Sequence, residues 1–169
     1  RKNTPGLPHN LAYALLGGRD GSLWVGTAAG LARFVEGSAR PFGAREGVPE
    51  KAVRCLLEDH DGAVWAGTWG GGLVRLAGEV AEVFTTHDGL GSDEVSSLHE
   101  DPDGTLWIAT SGGLSRRTPE GRTELVPVPG ARSTRFRGLC RGRDGSLWIG
   151  SDEGLFRVRP DGTARRFGS

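Results

Sequence analysis

Aspartates paired at Asp59 and Asp61, and again at Asp101 and Asp103, have the spacing with which a calcium loop begins. The later oxygen ligands and the closing glutamate of an EF-hand are missing, so these carboxylates predict local turns that accept backbone N–H groups. Catalysis has no better footing. His9, His60, His87 and His99 fall at unrelated places, and no Ser/His/Asp grouping, Cys/His grouping or zinc-ligand spacing is present. No catalytic set, metal or cofactor is therefore expected. What remains is recognition chemistry. Trp69 is an isolated aromatic that can stack on a sugar or anchor a partner, with packing against a neighbouring element as the competing expectation. Tyr13, Arg54, Ser96 and Arg137 differ in type although their neighbours barely change. With Asp93, Glu94, Asp152 and Glu153 they offer a mixed-charge surface for a small molecule or glycan, against the alternative of a merely solvated rim.

The frame that must position these residues is a repeat. Asp20-Gly21-Ser22-Leu23-Trp24, Asp61-Gly62-Ala63-Val64-Trp65, Asp103-Gly104-Thr105-Leu106-Trp107 and Asp144-Gly145-Ser146-Leu147-Trp148 place their tryptophans 41, 42 and 41 residues apart. A Gly-Leu-x-Arg run follows each, ending at Arg33, Arg75, Arg116 and Arg157, arginines whose recurrence marks them as structural. A leucine stands five residues before each aspartate, at Leu15, Leu56, Leu98 and Leu139. The apolar runs are too short for helices and are bounded by glycine and proline, which predicts strands. Asp-Gly between two such runs predicts a hairpin. Each repeat is thus a four-stranded antiparallel meander, strands a to d, with strand d ending near Phe42, Phe84, Val126 and Phe167.

One meander cannot bury both faces alone, so such repeats stack around an axis as propeller blades. The fold class is an all-β propeller, with blades at about 7–47, 48–89, 90–130 and 131–169 forming one unit. The a–b hairpins fall on one rim. The d–a and b–c connections fall on the other, around the central opening, and Ala28, Trp69, Ser111 and Asp152 share the b–c position there. Cys55 and Cys140 lie on strand a two repeats apart, too far for a disulfide, and are expected to be buried free thiols.

Twenty-one basic and 21 acidic residues balance without a basic stripe, which argues against nucleic acid. No apolar run approaches membrane-spanning length, and no signal-peptide pattern occurs. The 29 glycines and 9 prolines are phased with the repeat and read as turn punctuation. Methionine is absent, and Arg1 aligns with the strand d phenylalanine of a preceding blade, so an excised piece of a larger propeller is one expectation.

The run D-G-x-L-W-x-G-T followed by G-L-x-R resembles the two-component regulator propeller repeat of bacterial extracytoplasmic sensors, across essentially the whole chain. Repeat two fits best, through Glu58 to Thr68; Ala109 and Ser151 are mild departures in repeats three and four. The resemblance implies a non-enzymatic sensor domain that binds a ligand or partner, periplasmic or extracytoplasmic in such a setting. It also implies more blades than four. The four then form an open arc that two chains close into an eight-bladed homodimeric ring, the blade-four end of each meeting the blade-one end of the other. Closure of the four blades on themselves is the alternative, and a self-assembling scaffold is the runner-up function. A streptogramin-lyase-like enzyme, similar in repeat, needs a convergent His/Glu set on the ligand rim, where the sequence supplies only His9 and acidic residues.

Overall fold

Turn residues cut each repeat into four short strands, and a computed structural model, which describes residues 6–168, shows sixteen of them. Blade one comprises β1 (Ala12–Gly17), β2 (Leu23–Thr27), β3 (Gly30–Val35) and β4 (Ser38–Phe42). Blade two comprises β5 (Val53–Glu58), β6 (Val64–Thr68), β7 (Leu73–Ala77) and β8 (Val80–Phe84). Blade three comprises β9 (Val95–Glu100), β10 (Leu106–Thr110), β11 (Gly113–Arg117) and β12 (Thr123–Val126). Blade four comprises β13 (Phe136–Arg141), β14 (Leu147–Ser151), β15 (Gly154–Val158) and β16 (Ala164–Phe167). Each set is one antiparallel sheet in sequence order, and no α-helix occurs among the described residues. The fourth strands end at the residues the sequence predicts. Arg1 lies outside the described residues.

The a–b hairpin shows why Asp-Gly is fixed. Gly62 N–H donates to Asp59 O at 3.0 Å and Asp59 N–H donates to Ala63 O at 2.9 Å, so a turn is followed by Gly62 at φ 85°. That left-handed geometry favours glycine, and it gives a three-residue loop with a glycine bulge instead of a two-residue turn. At the other rim Thr27, Thr68 and Thr110 donate their hydroxyls to Gly30, Gly72 and Gly113 carbonyls at 2.8 Å, and Ser151 does the same to Gly154 at 3.0 Å. The Ser151 departure thus preserves the bond.

The core is a series of inter-blade layers. Trp24, Leu31 and Phe42 of blade one meet Val48, Val53, Val64 and Ala66 of blade two. Trp65 and Leu73 meet Leu90, Val95, Leu106 and Ile108, and Leu114 meets Phe136, Leu147 and Ile149. Each blade thereby offers forward a Trp/Leu face closed by the last residue of strand d, Phe or, in blade three, Val126. Gly67 permits the approach: a Cβ there would stand 2.7 Å from Val95 Cγ1.

The arc stays open. Leu31, Leu73 and Leu114 are at most 1% exposed, but their counterpart Leu155 in blade four is 39% exposed. On the backward side Val64, Leu106 and Leu147 are 2–4% exposed, whereas Leu23 is 41% and Leu15 is 68% exposed. The four blades therefore do not close on themselves. The same opening corrects the expectation of two buried thiols: Cys55 is half-buried, but Cys140 is exposed. Cys140 occupies the repeat position of Leu16 and Leu57, which face the following blade. Among the described residues no blade follows blade four to cover it.

Candidate functional site at the inner rim

Strand a pairs with strand b through one irregularity, at the same place in every blade. Ala12 faces Thr27 and Ala14 faces Gly26, so Tyr13 is left out of the ladder. Arg54 is skipped between Val53 and Cys55, Ser96 between Val95 and Ser97, and Arg137 between Phe136 and Gly138. A β-bulge of this kind frees a residue from pairing and re-aims its side chain. The four residues that vary within the fixed repeat are the four bulge residues. Because strands a of successive blades lie side by side as the inner strands, the bulges form a collar around the opening.

The collar has two parts. Arg54 lies 4.5 Å from the Tyr13 ring centroid of the preceding blade and 5.3 Å from that of Trp69 in its own b–c loop. Among the described residues this guanidinium forms no ion pair, and its cation rests between two aromatic rings. Trp69 is held by backbone pairing with Glu94 of blade three and remains 38% exposed. It is therefore anchored by its main chain with its ring still accessible. Arg137, in contrast, pairs with Asp152 across one blade. That contact raises the Arg137 pKa and lowers the Asp152 pKa from their ordinary values, hydrogen bonding first and charge second. Trp69, Ser96, Ser111, Arg135 and Arg137 line one shallow cleft that joins the two parts. Ser96 Oγ donates to Phe136 O at 2.6 Å, with Ala109 O 3.1 Å away, tying blade three to blade four beneath it.

Not every sequence-predicted residue joins the collar. Glu153 Oε2 accepts the Arg132 N–H at 3.1 Å, and Asp93 Oδ1 accepts the Thr86 N–H at 2.8 Å, so both carboxylates organise loops. His9 Nδ1 accepts the Leu11 N–H at 3.0 Å. Arg135, which sequence reasoning passed over, enters the cleft two residues before the bulge. The bulge itself was signalled only by variation at one position, with nothing in the residue types to identify its geometry.

The paired aspartates behave as turn-formers, and they do so in two ways. Asp59 is buried and accepts from Ala63 N at 2.8 Å, Asp61 N at 3.1 Å and Trp65 Nε1 at 2.7 Å. Asp101 accepts from Trp107 Nε1 at 2.8 Å and pairs with Arg141 of blade four. Blades one and four have Gly18 and Gly142 at this position, and there Asp20 and Asp144 pair with Arg33 and Arg157. The repeated arginines of these two blades are structural.

A cleft of about 210 Å³ also opens at the hairpin rim between blades two and three. Its charges are already committed: His60 Nδ1 lies 2.6 Å from Glu100 Oε1, Arg75 lies 3.6 Å from Glu82, and Arg117 donates to Gly121 O at 2.6 Å. Among the described residues no group of three or more His, Cys, Asp or Glu is placed to hold a metal. No helix among them is long and apolar enough to cross a membrane.

The blade arrangement recurs in solved structures. The extracellular domain of BT4673 from B. thetaiotaomicron, described as a one-component system, superposes with a TM-score of 0.82 at 19% identity over 96% of this chain and 26% of its own. Virginiamycin B lyase from Staphylococcus aureus gives 0.75 at 19% identity, over 94% of this chain and 55% of that one. PorZ, a surface component of the type-IX secretion system of Porphyromonas gingivalis, gives 0.66 at 20% identity, over 86% and 24%. At these identities the likeness is one of fold, and the chain spans between about a quarter and just over half of each structure. No curated protein matches the chain. The family described as two component regulator propeller matches four times, at residues 6–29, 47–70, 89–112 and 130–153, one match for each bulge, b strand and b–c loop. With more than half of its length matched, the chain belongs to the two-component regulator propeller family.

Proposed function

We propose that the chain is a non-enzymatic recognition propeller of an extracytoplasmic sensor, and that its collar binds a small ligand combining a carboxylate with a flat or sugar-ring face. An acidic sugar is the class that fits best. The observation that carries this is Arg54: a cation without a carboxylate partner, held between Tyr13 and Trp69 and open to solvent. A guanidinium so placed recognises a carboxylate by paired hydrogen bonds, while the exposed Trp69 ring supplies a stacking surface. Family membership and the fold shared with the extracellular domain of BT4673 support a sensory setting, in which the binding event passes to an output module. In the same proposal a second copy of the chain completes the arc to eight blades.

The test is calorimetry and thermal shift with digalacturonate, using lactose as the neutral control. Saturable binding of the acidic disaccharide alone is expected. Trp69→Ala should weaken it by about tenfold, the scale of one lost stacking or cation–π contact, and Arg54→Gln should abolish it. Binding of neither sugar, together with a robust dimer, would assign the chain a scaffolding role instead.

A further inference from the structure

The two open faces are the two halves of an interface the chain already builds three times. Blade four presents Leu155 with Trp148 and Phe167, whose rings lie 5.6 Å apart, as Trp24 and Phe42 do at 5.2 Å. Blade one presents Leu15 and Leu23, the counterparts of Leu56 and Val64, which cover Trp24 and its neighbours. The polar rim matches too. Across the first internal junction Arg40 pairs with Glu79 of the β7–β8 turn. Arg165 is the repeat equivalent of Arg40, two residues before the terminal phenylalanine, and Glu36 stands one position earlier in the β3–β4 turn of blade one. Glu36 is the one non-glycine among the described residues with a left-handed backbone, at φ 49°. Arg19 reaches over the next hairpin to His60 O at 3.1 Å, and Arg143 is its equivalent on blade four.

We infer that a second copy of this chain fills this junction and that closing it completes the ligand collar, because Tyr13 of one copy then stands beside Arg137 and Asp152 of the other. The internal step from one bulge to the next is the template: Arg54 lies over the Tyr13 ring of the adjacent blade. After closure each Tyr13 has an arginine on both sides, Arg54 from its own chain and Arg137 from the other. The collar becomes a continuous ring in which the unpaired Arg54 cations face a shared opening. Ligand binding at the collar and self-association are then coupled, an inference that rests on the recognition function proposed above.

The full chain is examined by sedimentation equilibrium and by thiol labelling at Cys140, with digalacturonate as the probe and lactose as its control. The expected result is a dimer whose association tightens with the probe by about tenfold, within the usual range of coupling between sites. Cys140, exposed on the open face, becomes protected in the dimer. Leu155→Arg, on the open face and not itself part of the collar, should yield a folded monomer that binds the probe about tenfold more weakly. Arg165→Glu and Glu36→Arg should each weaken the dimer by roughly tenfold over its two junctions, and the double substitution should restore it. A monomer at every concentration with Cys140 always reactive would overturn closure. Equal probe affinity in the wild-type dimer and the Leu155→Arg monomer would overturn the coupling and leave recognition standing. A dimer that binds no probe would overturn the coupling together with the recognition function, while leaving the junction itself intact.

Discussion

Alanine in place of Leu73 or of Leu155 applies one substitution to one repeat position in two different surroundings. Leu73 is fully buried between blades two and three, so its truncation loses the transfer energy of the removed atoms and leaves a cavity, about 3 kcal/mol together. Leu155 is 39% exposed. In the single chain only its buried part contributes and no closed cavity forms, so Leu155→Ala costs about 1 kcal/mol. Closure by a second copy erases this difference. Each junction then loses about 2 kcal/mol more, and the two junctions of a dimer lose about 4 kcal/mol, on the order of a thousandfold in association. Equilibrium urea unfolding followed by tryptophan fluorescence, at low and high protein concentration, reads both regimes. At low concentration Leu155→Ala should lower stability by about a third as much as Leu73→Ala. At high concentration the mutant should lag the wild type in the dimer's added stability. Equal costs for the two substitutions at every dilution would refute the reasoning, because they would mean that blade four is already covered within one chain.

Four further outcomes follow from the same geometry. Desolvation of the Cys55 thiol, packed against the layer between blades two and three, pushes it up to about 12, so at concentrations where the chain is monomeric an alkylating reagent at neutral pH should modify Cys140 readily and Cys55 only on unfolding, as mass spectrometry of the labelled peptides would show. Asp59→Ala leaves the Trp65 indole and two backbone N–H groups without their charged acceptor and should cost about 3 kcal/mol in a urea titration, whereas Asp61→Ala, at an exposed carboxylate, should cost under about 1 kcal/mol. The Ser146 N–H, with the Arg157 guanidinium and the Ser146 hydroxyl, holds Asp144 at about 2, below its ordinary 3.8. Its stabilising contribution is therefore present above the ordinary value and is lost as pH falls through about 2. His60 runs the other way: Glu100, by hydrogen bonding, and then Asp61, by charge, raise its pKa above 6.5, so its contribution is full below that value and is lost as pH rises through the raised one. NMR titration of Glu100→Gln should return the His60 midpoint toward 6.5.

The frame was legible because turns and strands are local. The Asp-Gly pairs, the tryptophans and the Gly-Leu runs each report a backbone geometry that a few consecutive residues determine, and so the strand ends fall where the sequence places them. The motif's own aspartate was less transparent. In blades one and four Asp20 and Asp144 hold the repeated arginines, but in blades two and three the indole is bound by Asp59 and Asp101, two residues earlier. A Cβ at Gly142 would stand 2.7 Å from Asp144 Oδ1 and 3.0 Å from Trp148 Nε1, so an aspartate there would require the Asp144 carboxylate to shift. One sequence signature covers two alternative ways of satisfying the same hairpin.

The collar was half legible for a different reason. Variation at Tyr13, Arg54, Ser96 and Arg137 marked a position freed from the demands of the repeat, but a bulge is a relation between two strands and has no residue type of its own. Pairing and inter-blade packing constrain every other strand a residue; the bulge residue escapes the pairing that holds its neighbours and can change without loss of fold. Exposure of Cys140 escaped prediction on the same ground, since burial at that position depends on a following blade and not on the residue. Both features depend on partners across a sheet or across a junction. The positions where the copies of the repeat disagree are therefore where specificity can be written, and the two faces where copies of the chain can meet decide how many such positions surround one ligand.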